Sequence, residues 1–397
     1  MSDQYFWYAN LGMPDESASN IDGYFRSLLY SPTDRYSFSQ PTAQFFQFFS
    51  EGTRTGYGYS VVFADPSQTA LRVRFAEPLS PVGLAGLKRG DTVLSIDGYG
   101  PAQIAAGTPG IVSTEGIPRS FKVIDNTGVE RSFTVNSATY PISTVPNAGV
   151  LTFSTPLGSV NAGYFVYQSF LSTSNGALGD VFTNFASLGV NELIVDLRYN
   201  GGGSVSVARN LASMIGGSGL EGKTFAEFRF NGKHPEKNFS FPFTSNGVFL
   251  PAAPLRGLNR VIVITSPSTA SASELVINAL KPFINVVLIG GTTFGKPYAF
   301  QPRDFCGTTY NAVNFEFVNA LGEGGFINGI TPTCTVADDL DHQLGDSNEA
   351  RLSAAIHYIK TGACSGDTIR RFAQSERIPP EKEPVFGDHA AEQLILD

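Results

Sequence analysis

The chain has 397 residues, of which 42% are hydrophobic and 16% charged. That is too long for one small core and too apolar for a disordered chain, so two or three folded domains are expected. A formal net charge of −8 argues against nucleic acid or an anionic membrane as the main partner, and no run of about 18 apolar residues is present to span a bilayer.

Residues 1–50 open on the aromatics Tyr5, Phe6, Trp7 and Tyr8. Ile21, Tyr24, Phe25 and Leu28 then repeat at helical spacing before a turn region rich in Pro, Ser and Asp, which together predict a small helical arm. From Gly56 the pattern changes to short β runs, Tyr59–Phe63, Leu71–Phe75, Thr92–Ile96, Phe121–Ile124 and Ser132–Val135. Between the last two, Asp125-Asn126-Thr127-Gly128 carries residues that accept positive φ and predicts a hairpin turn.

From about residue 146 strands and helices alternate. Leu193–Asp196 and Val261–Thr265 read as buried strands, while Leu178, Phe182, Phe185 and Val207, Leu211, Met214 each form one helical face. Gly216-Gly217 stops the second helix, and a last helix is expected over about 348–359. Such alternation implies an α/β core on a mainly parallel sheet. The expected domains are an arm over 1–50, a β-rich domain over 51–145, the α/β core over 146–372 and a loosely attached tail over 373–397.

The cysteines Cys306, Cys334 and Cys364 show no CxxC spacing, so no metal site is expected. One disulfide, Cys334 with Cys364, is the favoured pairing because both flank the last helix; buried free thiols are the alternative. His234, His342, His357 and His389 read as surface or packing residues, which weakens any Ser-His-Asp scheme.

Three segments carry chemistry. Thr269-Ala270-Ser271-Ala272-Ser273-Glu274 lies between a buried strand and an apolar-faced helix. A serine there meets unpaired amides at a positive helix end that can stabilise an oxyanion, or it simply caps the helix. Asp196-Leu197-Arg198-Tyr199-Asn200-Gly201-Gly202-Gly203 leaves another buried strand. Its glycines allow close backbone approach, as an oxyanion hole or as a tight turn alone; the Walker and GxGxxG spacings are absent. Gly290-Gly291-Thr292-Thr293-Phe294-Gly295-Lys296-Pro297 sets a lysine among Phe294, Tyr298 and Phe300. Desolvation there would lower its pKa and make it a base; an ordinary lysine would be a solvated charge.

In this order and spacing, with Lys296 25 residues after Ser271, the three segments resemble the carboxyl-terminal processing (tail-specific) serine peptidases. The resemblance implies a Ser271–Lys296 dyad, an oxyanion hole from Gly202 or Gly203 with the amide of Ala272, and no cofactor. It also implies a crotonase-like α/β core. Ser80-Pro81-Val82-Gly83-Leu84-Ala85-Gly86-Leu87-Lys88-Arg89-Gly90-Asp91 is similar to a PDZ signature. Gly56-Tyr57-Gly58-Tyr59 then falls where a PDZ carboxylate-binding loop would lie, to capture a free polypeptide C-terminus. Some family members orient the lysine with a Gln four residues later; here that place is Phe300, and Gln301 follows it. Others carry an Asp eleven residues after the serine, where this chain has Pro282, so Gln301 is the candidate third member.

No basic segment followed by an apolar one opens the chain. The resemblance places the protein in the periplasm, cell envelope or outside the cell after loss of a signal segment, with the cytoplasm as the alternative. The rival function is a non-catalytic apolar-ligand or peptide carrier on the same fold. Nothing in the sequence sets an oligomeric state.

Overall fold

The computed structural model describes residues 1–63, 69–156, 158–244, 255, 258–365 and 386–387. The N-terminal segment holds α1 (Ile21–Ser27), β1 (Phe38–Pro41) and α2 (Thr42–Phe49). The β-rich unit follows with β2 (Thr53–Gly56), β3 (Tyr59–Phe63), β4 (Leu71–Ala76), α3 (Pro81–Leu84), β5 (Thr92–Ile96), α4 (Pro101–Ala105), β6 (Pro118–Ile124), β7 (Glu130–Asn136) and β8 (Ala138–Pro141). The core begins with β9 (Asn147–Thr155), β10 (Gly158–Val166), α5 (Ser174–Ser187), β11 (Glu192–Asp196), α6 (Val205–Gly216), β12 (Thr224–Phe230), β13 (Phe239–Pro242), β14 (Arg260–Thr265) and α7 (Ala272–Leu280). It continues with β15 (Asn285–Gly290), β16 (Tyr298–Phe300), β17 (Arg303–Phe305), β18 (Thr308–Asn311), β19 (Val313–Val318), β20 (Cys334–Thr335) and α8 (Ala350–Thr361), and β21 (Phe386–Gly387) comes last.

The core is built on a six-stranded sheet, β20-β15-β14-β11-β10-β9, parallel throughout except for the β9–β10 pair. Alternation along its strands divides the side chains between two faces. Val195, Val261, Val263 and Leu288 pack on one side with Leu178, Phe182, Leu211 and Leu275 from α5, α6 and α7. Ile194, Ile262, Ile264 and Ile289 pack on the other with Leu352, Ala355 and Ile359 of α8. Covered on both faces, the central strands are continuously apolar, and this is why their sequences lack a polar period. Each buried leucine- or isoleucine-sized side chain contributes roughly 1.5–3 kcal/mol. Cys334 and Cys364 are bonded, tying the end of α8 to β20, and Cys306 is a free, exposed thiol.

The β-rich unit is an antiparallel sheet in the order β3-β4-β5-β6-β7, closed over Val61, Val73, Val93, Ile96, Phe121 and Val123. The Asp125–Gly128 turn joins β6 to β7, with Gly128 at φ +84° and the Asp125 carboxylate accepting from the amides of Thr127 and Val129.

The N-terminal segment differs from the expected helical arm. Its β1 pairs antiparallel with β18, and Phe6 N donates to Val313 O at 2.8 Å, so backbone pairing weaves it into the core. Tyr5, Phe25 and Leu29 bury an apolar face that the short α1 could not stabilise alone. Most of the expected 373–397 tail, His389 included, lies outside the described residues; Phe386 and Gly387 pair antiparallel with Val61 and Ser60 of β3.

Candidate active site

The carboxyl ends of the parallel strands place the three candidate segments side by side, as open α/β sheets place their ligand sites. β14 leads into 266–271, β11 into the 197–203 turn and β15 into 291–297. Thr269 Oγ1 donates to Leu197 O at 2.8 Å, and Ala270 N and Ser273 Oγ both donate to Asn200 O, at 3.1 and 3.0 Å. The serine segment is thereby docked on the glycine turn. Phe294 N donates to Thr269 O at 2.9 Å, which docks the lysine turn on the same segment.

Ser271 immediately precedes α7 with φ +62° and ψ −110°. A non-glycine residue held there stores about 1–3 kcal/mol of backbone strain, which surrounding structure has to over-determine. Glu274, completely buried, supplies that constraint. Its Oε2 accepts from Ser271 N at 2.9 Å and from Lys296 N at 2.8 Å. Its Oε1 accepts from Gly295 N at 2.7 Å and Thr293 Oγ1 at 2.5 Å. One carboxylate thus gathers the backbone of the serine elbow and of the lysine turn. Burial raises its pKa, against the opposing effect of these donors.

Lys296 is 2% exposed, and its Nζ lies 4.1 Å from the centroid of the Phe300 ring. Burial holds its pKa well below the ordinary lysine value, while the Asp34 and Glu274 carboxylates oppose that shift. The position four residues after the lysine therefore presents an aromatic face to the lysine nitrogen. Gln301 follows β16, and its backbone N–H donates to Asn314 Oδ1 at 2.7 Å.

The glycines are sterically required. A Cβ on Gly202 would lie 2.8 Å from Ser271 Cβ, and one on Gly203 would lie 2.4 Å from Phe170 O. Both residues have φ in the region that glycine tolerates, +120° and +134°. Gly202 N already donates to Asn200 Oδ1 at 2.9 Å. The amides of Gly203 and Ala272 have no protein acceptor among the described residues. Gly202 therefore contributes space beside Ser271.

Tyr57, in the loop before β3, and Tyr59, the first residue of β3, are buried against Phe121, with Tyr57 Oη donating to Ile117 O at 3.0 Å. Their rings belong to the core of the β-rich unit. Gly58 packs against Ser80, whose Cβ lies 2.1 Å from where a Cβ on the glycine would be.

A buried polar cluster between the β-rich unit and the core escaped the sequence reading. Arg198, with no side-chain exposure, bonds to Asp196, Asp338 and Glu349. Tyr199 Oη donates to Asp338 Oδ2. From the β-rich unit, Arg89 bonds to Tyr199 Oη at 2.5 Å and to Asp338 at 2.7 Å, and Arg74 lies over the Tyr199 ring and donates to Ser268 Oγ at 2.9 Å. Arg89, Arg351 and Arg198 hold Asp338 well below the usual carboxylate range despite its burial. Asp196 and Arg198 were visible in their motif; Asp338 and Glu349 lie 140 and 151 residues from Arg198 in sequence, with no local pattern to announce them.

A strained, buried serine and a desolvated lysine thus lie on adjoining turns at one end of an α/β sheet. Residues 161–336 match the model of peptidase family S41. The chain is 24% identical over 258 residues to the chloroplastic C-terminal processing peptidase of Tetradesmus obliquus, covering 62% of this chain and 52% of the relative. It is 26% identical over 274 residues to the carboxyl-terminal-processing protease of Synechocystis, covering 67% and 59%. Against the carboxy-terminal processing protease CtpA of Bacillus subtilis it is 24% identical over 320 residues, covering 79% and 63%. The chain thus spans between about half and two-thirds of the length of these relatives. A crystal structure assigned to the S41 proteases, from Bacteroides fragilis, matches with a TM-score of 0.71 at 24% identity over 91% of this chain and 96% of that one, which gives the fold.

Proposed function

We propose that the protein is an endopeptidase in which Ser271 is the nucleophile and Lys296 the general base, acting on polypeptides through their C-terminal tails. The observation that carries this reading is the single Glu274 oxygen that accepts from both Ser271 N and Lys296 N. It sets the two turns in one register inside a site dry enough to keep lysine neutral.

Neutral Lys296 would take the Ser271 proton as Oγ attacks a peptide carbonyl. The resulting oxyanion would accept from Ala272 N and Gly203 N, neither of which has an acceptor among the described residues. Lys296 would then protonate the leaving amine, and water would hydrolyse the acyl-enzyme. Gln301 remains the candidate for orienting the lysine side chain, and Gly202 the residue that keeps the space over Ser271 clear.

We read the β-rich unit as PDZ-like and the core as crotonase-like. Gly56–Tyr59 would receive the terminal carboxylate through its backbone, and β3 would add the substrate tail as a strand. The β21–β3 pairing supports this, because it shows that the β3 edge accepts an antiparallel chain. A location outside the reducing cytosol is consistent with the Cys334–Cys364 disulfide, and two of the relatives are chloroplast and cyanobacterial proteins.

Labelling with a fluorophosphonate, followed by peptide mapping, tests the nucleophile directly. Modification is expected at Ser271 and not at Ser273, whose hydroxyl is spent on Asn200 O. Ser271→Ala should abolish cleavage of an unfolded substrate with the fold intact. Lys296→Arg should fall by about a thousandfold or more, because guanidinium keeps its proton. A Ser271→Ala protein that cleaves at the wild-type rate would sink the assignment.

A further inference from the structure

The peptide unit between Gly295 and Lys296 is held at both ends. Its N–H donates to Glu274, from the serine motif, at 2.8 Å. Its C=O accepts from Tyr36 Oη at 3.0 Å, and Tyr36 belongs to the N-terminal segment, 259 residues before Gly295 in the sequence. The neighbouring Arg35 donates to Phe294 O and Ile327 O, both at 3.0 Å, with its guanidinium 4.7 Å from the Phe294 ring centroid. Two consecutive carbonyls of the lysine turn, together with that of Ile327, are thus gripped by two consecutive residues of the arm.

The arm also walls the lysine. The apolar cluster that includes Phe300 draws Tyr36, Phe38, Phe6 and Trp7 from the N-terminal segment and Phe294 and Tyr298 from the core. Tyr36 lies 5.1 Å from Tyr298, Trp7 lies 5.0 Å from Tyr298, and Phe38 lies 5.8 Å from Phe300. Behind this wall Asp34 is buried and fully engaged, accepting from Tyr5 Oη at 2.7 Å, Ser37 Oγ at 2.6 Å, Ser37 N at 2.9 Å and Tyr36 N at 3.0 Å. Four donors fix the Asp34–Ser37 turn, and that turn presents Tyr36 to the Gly295 carbonyl.

We infer that the N-terminal segment is part of the catalytic apparatus, with Tyr36 as the positioning residue that sets the Lys296 backbone through the Gly295 carbonyl and, with its aromatic neighbours, closes the lysine from water. This rests on the reading of Lys296 as base. The charged and titratable groups around the lysine are the Asp34 and Glu274 carboxylates, the Tyr36 and Tyr298 phenols, Arg35 over Phe294, and Glu316 beyond Tyr298. Freeing the lysine turn from Tyr36 admits water to a lysine whose basicity depends on its exclusion, so the loss should appear as a moved titration as well as a slower rate.

The test compares Tyr36→Phe with Phe25→Leu, which weakens the same arm where it packs on Tyr310 and touches nothing at the turn. For an unstructured peptide substrate, Tyr36→Phe should lower kcat about tenfold at pH 7 with little change in KM. Its kcat/KM profile should shift towards higher pH, recovering much of the loss in alkali. Phe25→Leu should lower the Tm and leave the pH profile in place. In parallel, NMR of protein labelled at the lysine ε-carbon, with Lys296 assigned by the signal lost in Lys296→Met, follows the lysine itself without reference to catalysis. A wild-type profile and an unmoved Lys296 titration in Tyr36→Phe overturn the positioning role while leaving the dyad in place. A wild-type Lys296 that titrates like a free lysine overturns the dyad and this role together.

Discussion

The two places proposed to receive the substrate are built in opposite ways. At the Ser271–Lys296 site every turn is locked. Glu274 spends both oxygens on four donors, Asn200 ties the glycine turn to the serine elbow, and nothing titratable there is more than a few per cent exposed. At the β3 edge the side chains are locked, with Tyr57 and Tyr59 in the core, but recognition would fall to a strand edge that any extended chain can pair with. Chemistry demands fixed positions within fractions of an ångström, whereas tail capture needs only direction and a carboxylate nest. Rigidity is concentrated where the reaction would occur.

The comparison breaks most completely at Glu274. Glu274→Gln turns one acceptor oxygen into an NH2 group that must face backbone donors, leaving at least one buried N–H unpaired. A cost of about 1–3 kcal/mol per unsatisfied group is expected, and kcat should fall by about a hundredfold or more as the two turns lose their common register. The same kind of change at the β3 loop should move KM and leave kcat and Tm nearly alone. Chemical denaturation together with steady-state kinetics checks both. Wild-type kcat in Glu274→Gln would show that the turns hold their register without it.

A smaller effect sharpens the same contrast through pH. Burial depresses the Lys296 pKa in the folded protein below the value near 10.4 that it takes when unfolded. Between those two values the unfolded chain binds the extra proton, so stability rises with pH across the window. Below the folded value both states carry the proton, and the native state bears the full penalty of a buried charge. Lys296→Met should remove this penalty. It should be more stable than wild type at neutral pH and below, with the difference shrinking towards pH 10, while activity is lost. Thermal melts across pH 5–10 read this directly; a pH-independent difference between the two proteins would contradict a buried, perturbed lysine.

Much of the core of this site was legible because its signals are local. Ser271, Glu274, Lys296 and the three glycines sit in strand-to-turn segments whose composition reports on geometry, and the buried strands around them are unmistakably apolar. The β runs of 59–135 were equally readable from alternation and turn residues, and each lies within an observed strand. What the sequence hid is what the chain brings from afar. Tyr36 on Gly295, Arg89 on Tyr199 and Glu349 on Arg198 are single side chains joined by folding alone. The arm was read as helical because α1 has a helical period; its strand β1 is four residues long and has meaning only beside β18. The Gly202 amide could not be excluded as an oxyanion donor until Asn200 Oδ1 was seen to hold it.

The smallest expected effect lies at the β3 edge, where Phe386 and Gly387 already pair with Val61 and Ser60. Antiparallel to β3, this segment runs towards the Gly56–Tyr59 loop, the direction a captured tail would take. A substrate tail entering the same edge must first displace it. The apparent affinity is then the intrinsic affinity multiplied by the fraction of molecules with the edge vacant. Two paired residues give a weak closure, within about 1 kcal/mol, so deleting 366–397 should lower KM about threefold to fivefold and leave kcat unchanged. Amidating the substrate's C-terminus acts on the other half of the proposed contact and should raise KM about tenfold in either protein, since the Gly56–Tyr59 loop lies outside the deletion. The two changes should therefore be additive in free energy. An unchanged KM in the deleted protein, with the amidation effect intact, would mean that β21 and the substrate tail do not share the edge. Loss of the amidation effect on deletion would place the carboxylate's partner within the removed segment and leave the loop without a role in capture.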